Sequence, residues 1–113
     1  MQIGTDIVYI PKIKETIEKY PHFIKSTYTE SEINLANKSK NSLYFYADRF
    51  AAKEAIIKAT NGKYDFKEIE VLKNNDGKPI VNILNNENIN IELSLSYDND
   101  YAIAFCIVLS QKK

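Results

Sequence analysis

Two carboxylates occupy positions where the surrounding pattern calls for apolar side chains. From about Ser42 to Thr60 the chain has no glycine or proline and is rich in alanine, which predicts its longest helix. At about 100° per residue, Leu43, Ala47, Phe50, Glu54 and Ile57 lie within roughly 40° of one direction, so Glu54 falls inside an apolar stripe. A lone buried carboxylate is costly, so Glu54 should be protonated, ion-paired or bound to a cation. Arg49 and Lys53 flank the stripe on one side, and Lys58, one turn on, flanks it on the other. Asp6 is the second anomaly. Residues 2–10 read as a strand, and Asp6 shares a face with Gly4, Val8 and Ile10. Two inward acids with lysines nearby suit Mg²⁺ carrying a phosphate-bearing ligand, because that ion takes one or two carboxylates plus phosphate oxygens and water. An internal ion pair for Glu54, and a turn or cap role for Asp6, are the structural alternatives. The spacing alone does not choose between them.

The elements that must position these acids follow from local signals. Both faces of the first strand are mostly apolar, which predicts cover on both sides. Pro11 suits the first turn of a helix with Ile13, Ile17 and Tyr20 on one face. Thr29-Glu30-Ser31-Glu32 is a capping-box pattern, and a short helix through Ile33 and Ala36 should follow it. Residues 37–41 form a polar loop, and Asn61-Gly62 stops the long helix. In the second half, Glu68 to Lys73 and Pro79 to Leu84 read as strands joined at Asn75-Asp76-Gly77. Ile89, Ile91, Leu93 and Leu95 alternate with polar residues, a half-buried strand. Asp98-Asn99-Asp100 turns into Tyr101–Leu109, apolar on both faces and suited to a central strand. The expected class is α+β: an antiparallel sheet packed with one long helix and shorter ones, as a single domain over residues 1–113.

Composition narrows the function classes. The 113 residues are 44% hydrophobic and 27% charged, which is ordinary globular usage and long enough for one core. Fifteen basic and fifteen acidic residues cancel, which argues against non-specific nucleic-acid or membrane binding. The single cysteine, Cys106, has no internal disulfide partner and reads as a small buried hydrophobe; with the lone His22 it makes no zinc pattern. His22 reads as a surface or packing residue. No stretch approaches a membrane span, and the opening residues lack a signal-peptide pattern, so the expected location is the cytoplasm.

At the two acids the sequence resembles the holo-[acyl-carrier-protein] synthases, the short bacterial group of 4′-phosphopantetheinyl transferases. The matching segments are Gly4-Thr5-Asp6-Ile7-Val8, then Arg49-Phe50-Ala51-Ala52-Lys53-Glu54-Ala55 with Lys58 following. Gly77-Lys78-Pro79 comes next, and Leu93-Ser94-Leu95-Ser96 leads to Tyr101-Ala102-Ile103-Ala104. They fall in the family's order over most of the chain. The resemblance implies an enzyme that moves the phosphopantetheine arm of coenzyme A to a serine of apo-acyl carrier protein, releasing adenosine 3′,5′-bisphosphate. It implies Asp6 and Glu54 as Mg²⁺ ligands, Lys58 beside the coenzyme A diphosphate, and Arg49, Pro79 and Ser96 in or bordering the coenzyme A pocket. Glu54 or a water is the candidate base. It also implies a homotrimer with active sites between subunits.

Two positions depart from the family pattern. Tyr97 stands where the family usually has His, and Tyr carries no positive charge near neutral pH. Thr60-Asn61-Gly62-Lys63-Tyr64 replaces a Gly-Thr-Gly-type loop, so Lys63 is a candidate phosphate contact. These departures keep open an alternative: a non-catalytic module of the same fold that binds coenzyme A or acyl carrier protein. Acyl carrier proteins are acidic, so Lys12, Lys14, Lys19 and Lys25 form the candidate docking face, diluted by Glu15 and Glu18.

Overall fold

A Gly4–Ala55 contact sets how the two largest elements meet. Strand β1, Gln2–Tyr9, lies against helix α4, Ser42–Ala59. A Cβ at Gly4 would overlap the Ala55 carbonyl oxygen and stand 3.1 Å from the Ala59 Cβ. The alanines of α4 allow this approach: Ala47, Ala51, Ala52 and Ala55 are fully buried. The computed structural model describes residues 1–86 and 88–109.

Three short helices precede α4: α1, Ile10–Lys19; α2, Phe23–Thr27; and α3, Glu30–Lys38. Helix α2 carries no strong local signal and was not anticipated. The capping box forms as the sequence predicts: Thr29 accepts from the Glu32 amide and Glu32 accepts from the Thr29 amide. After α4, positive φ angles at Asn61 and Gly62 let the Gly62 amide return to the Ile57 carbonyl, which ends the helix.

Strands β2, Ile69–Lys73, and β3, Pro79–Ile83, pair as a hairpin whose turn uses Gly77 at φ 83°. Strands β4, Ile91–Asp98, and β5, Tyr101–Val108, complete a three-stranded antiparallel sheet in the order β1-β5-β4. The half-buried strand thus begins two residues later than its alternation suggested, and β5 is central as expected. The expected single sheet is two sheets.

Two expectations about burial change. First, of the stripe of Leu43, Ala47, Phe50, Glu54 and Ile57 only Ala47 is sealed; the other four are half-buried, next to the exposed Lys58. Ala51, Ala52, Ala55 and Ile56 on the other sides are sealed. Large apolar side chains dominated the periodicity, whereas small alanines made the tightest contacts. Second, β1 is covered on one face only. Ile3, Ile7 and Tyr9 remain exposed beside Tyr101 and Phe105 of β5.

The fully buried charge on α4 is Lys53. Its ammonium lies 2.7 Å from Glu32 and donates to the Thr27 and Phe66 carbonyls at 2.9 and 2.8 Å. Glu32 also accepts from the Val71 amide at 2.8 Å. Every donor of the ammonium is used, which is what makes a buried pair tolerable. Gly4→Ala should destabilise the fold by more than about 3 kcal/mol, because the added methyl meets backbone that cannot yield. Chemical denaturation of the two proteins checks this.

Candidate active site

The Gly4–Ala55 contact fixes what lies beside it. Asp6 is two residues along β1 on the same face, and Glu54 and Lys58 lie on the open sector of α4. The Lys58 ammonium is 3.1 Å from Asp6 Oδ1 and 3.2 Å from the Thr5 carbonyl oxygen. Asp6 is half-buried and Lys58 is exposed. Glu54 is half-buried and pairs with no basic side chain among the described residues. Burial raises its carboxyl pKa above the ordinary value, and the Asp6 charge raises it further, against the pull of Lys58. Among the described residues the internal ion pair considered for Glu54 is not formed.

Two carboxylates close enough for one to raise the other's pKa, with a single ammonium beside them, are a fit donor set for Mg²⁺. Among the described residues no group of three or more His, Cys, Asp or Glu forms an all-protein metal cage. A divalent ion held here would complete its shell with ligand oxygens and water, the mode Mg²⁺ favours.

A second cluster lies at the other half of α4. Asp48 is 5% exposed, and Arg49 Nη1 donates to its Oδ1 at 2.9 Å. The Tyr97 hydroxyl of β4 donates to its Oδ2. Arg49 Nε donates to the Val71 carbonyl at 3.2 Å, and its guanidinium lies 4.1 Å from the Phe45 ring centre. Tyr97 stacks on Tyr44 at 5.7 Å. Burial raises the Asp48 pKa against Arg49 and Tyr97, while desolvation and then the Asp48 hydrogen bond push Tyr97 well up. The cluster borders a cavity of about 500 Å³ that also touches Lys73, Lys78, Pro79 and Leu93.

The residues singled out from the sequence therefore fall in separate places. Asp6, Glu54 and Lys58 meet in one cluster. Arg49, Pro79 and Tyr97 line the cavity. Ser96 is exposed on the outer sheet face, paired opposite Ile103. Lys63 lies in another cleft with Thr60 and Val108, its ammonium 5.6 Å from the Tyr64 ring centre. His22 is exposed and Cys106 buried. Asp48 was missed. Its neighbour Arg49 is adjacent in sequence, which does not predict a shared helix face, and Tyr97 is distant in the chain. The available signal was an acid inside an alanine-rich helix.

This arrangement is that of a small α+β domain with one carboxylate on a strand and one on a helix. The family model described as the 4′-phosphopantetheinyl transferase superfamily matches residues 2–106. A holo-[acyl-carrier-protein] synthase from Wolbachia sp. subsp. Drosophila simulans (strain wRi) is 41% identical over 112 residues, covering 94% of this chain and 95% of the relative. One from Clostridium botulinum (strain Alaska E43 / Type E3) is 41% identical over 116 residues, covering 94% of each. The structure of a holo-(acyl-carrier-protein) synthase from Bacillus anthracis str. Ames, in complex with CoA (3′,5′-ADP), superposes with TM-score 0.85 at 31% identity. It covers 99% of this chain and 96% of that one. The chain belongs to the 4′-phosphopantetheinyl transferase superfamily and, within it, to the holo-[acyl-carrier-protein] synthases; it is an enzyme of that family.

The raised Glu54 pKa has a sign that can be measured. The folded protein favours the protonated carboxyl, so this group adds stability as pH falls through its folded pKa, and that contribution is complete below the unfolded value. At neutral pH the ligand-free Glu54→Gln variant should match or exceed the parent's melting temperature. The difference should shrink as pH is lowered from about 7 to about 4, and Mg²⁺ binding should be lost. Thermal melts across pH and Mg²⁺ titration calorimetry measure both.

Proposed function

We propose that the chain transfers the 4′-phosphopantetheine group of coenzyme A to a serine of apo-acyl carrier protein. The reaction depends on Mg²⁺ and gives holo-acyl carrier protein and adenosine 3′,5′-bisphosphate. The observation that carries this is the Asp6–Glu54–Lys58 cluster in a chain of this family. Mg²⁺ held by Asp6 and Glu54 would offset the charge of the coenzyme A diphosphate. Lys58 has three ammonium donors and spends two on Asp6 and the Thr5 carbonyl. The third is free for a phosphate oxygen, where a compact cation stabilises the leaving group. The serine nucleophile belongs to the carrier protein, and Glu54 or a metal-bound water would take its proton. Arg49, Pro79 and Tyr97 are assigned to the rest of the coenzyme, with Ser96 and Lys63 at its borders.

The assembly we assign is a homotrimer with active sites between subunits. Ile3 and Ile7 are 65% and 61% exposed and lie beside Phe105, Ile103 and Ile107, an apolar sheet face of the kind that marks association. The carrier docks, on this reading, at the exposed lysines of α1 and α2. An apolar groove of about 390 Å³ bordered by Lys14, Ile17, Ile24 and Leu43 adjoins them. No helix among the described residues is long and apolar enough to cross a membrane, and the proposed location is the cytoplasm. All of residues 1–113 are assigned to one domain.

Incubation with coenzyme A, Mg²⁺ and apo-acyl carrier protein should raise the carrier's mass by one phosphopantetheine. Glu54→Gln should lower that rate about a hundredfold or more. Binding of coenzyme A without any mass change would favour the non-catalytic alternative. Light scattering should return three copies for the parent and a smaller species for Ile7→Lys. Charge reversal at Lys14 and Lys25 should raise KM for the carrier at low salt, an effect that fades as salt is added.

A further inference from the structure

Coenzyme A carries two separate anionic groups, the diphosphate and the 3′-phosphate on its ribose. On the transferase reading above, on which this inference rests, the diphosphate belongs to Asp6, Glu54 and Lys58. The cavity at the other half of α4 holds a second set of cations: Arg49, Lys73 and Lys78. Six residues of helix separate Asp48 from Glu54, about 9 Å along the axis, so the two sets are distinct. A second anion is the natural complement of the second set.

The cavity is nevertheless built against a dianion in one respect. Its best donor, the Arg49 guanidinium, gives Nε–H to the Val71 carbonyl and one Nη1–H to the Asp48 carboxylate, so its remaining N–H groups face a ligand with a negative charge already beside them. The Tyr97 hydroxyl has a single proton, and that proton is given to Asp48. Stacking on Tyr44 holds the ring in that position. An incoming phosphate therefore meets a carboxylate beside its main cation and finds the nearest hydroxyl donor in use. Lys78 is also shared, at 3.4 Å from Glu92.

We infer that Asp48 and Tyr97 are specificity-determining residues for the coenzyme: by pre-pairing Arg49 they reduce this enzyme's preference for coenzyme A over 3′-dephospho-coenzyme A. Asp48 acts through Arg49 and Tyr97 and is a positioning residue. Its carboxylate repels the 3′-phosphate and competes with it for one Arg49 N–H and for the Tyr97 hydroxyl.

The test compares kcat/KM for coenzyme A with that for 3′-dephospho-coenzyme A, using apo-acyl carrier protein as acceptor. The parent should prefer coenzyme A by less than about tenfold. Asp48→Asn removes the charge and keeps the shape, and it should raise that preference about three- to tenfold, the change falling in KM for coenzyme A rather than in kcat. An unchanged or reduced preference in Asp48→Asn overturns the inference. Calorimetric titration of the unaltered protein with adenosine 3′,5′-bisphosphate and with adenosine 5′-monophosphate needs neither transfer nor a variant. Affinities within about tenfold support the inference, and a larger preference for the bisphosphate overturns it while leaving the transferase reading intact. Failure of both nucleotides to bind, with no transfer to the carrier, overturns both.

Discussion

The contact between Gly4 of β1 and Ala55 of α4 is the constraint on which the site depends. With no Cβ on the strand and only a methyl on the helix, the two backbones approach closely enough to fix their mutual register. Asp6 follows Gly4 by two residues on the same strand face, and Glu54 and Lys58 bracket Ala55 on the helix. The register that seats the glycine therefore also brings two carboxylates and an ammonium together. A bulkier pair at this crossing would separate the elements and with them the cluster.

Rotation of α4 about its own axis is restrained by a different interaction. Lys53 reaches the protein interior and joins α3 through Glu32, the C-terminal end of α2 through the Thr27 carbonyl, and the turn before β2 through the Phe66 carbonyl. Glu32 links onward to the Val71 amide of β2. A buried pair of this kind adds little net stability over apolar residues of equal size, but breaking it leaves an unpaired charge. Its consequence here is orientational. With Lys53 tied inward, the adjoining Glu54 is turned toward the open sector beside Asp6, and Arg49 toward Val71 and Phe45.

The helix thus presents two electrostatic environments with opposite character. Near its C-terminal half, the Asp6 and Glu54 charges feel each other with one neighbouring ammonium, Lys58, between two carboxylates. Near its N-terminal half, cations gather about a cavity and a single buried carboxylate holds the best of them. On the proposed function, coenzyme A with Mg²⁺ at its diphosphate would satisfy both environments. The uncovered apolar face of the sheet completes the picture, since Ile3, Ile7 and Phe105 are costly to leave in water.

Much of this was legible locally. The absence of glycine and proline from Ser42 to Ala59, the Thr29–Glu32 capping box and the glycine turn at Gly77 are decided by backbone preferences over a few residues, and each formed as read. The oddity of Asp6 and Glu54 was legible too, as was the resemblance carried by the segments around them. The packed chain alone decided which side of α4 is buried, because that depends on how closely β1 can approach, and alanine weighs little in a hydrophobic pattern. It alone sent Lys53 inward and left Glu54 without a basic partner among the described residues. It alone gave Asp48 a partner in Tyr97, a residue placed beside it by the sheet order β1-β5-β4 rather than by any spacing along the sequence. Local propensity acts within a turn or two of chain, whereas burial and pairing are set by whichever distant side chains arrive.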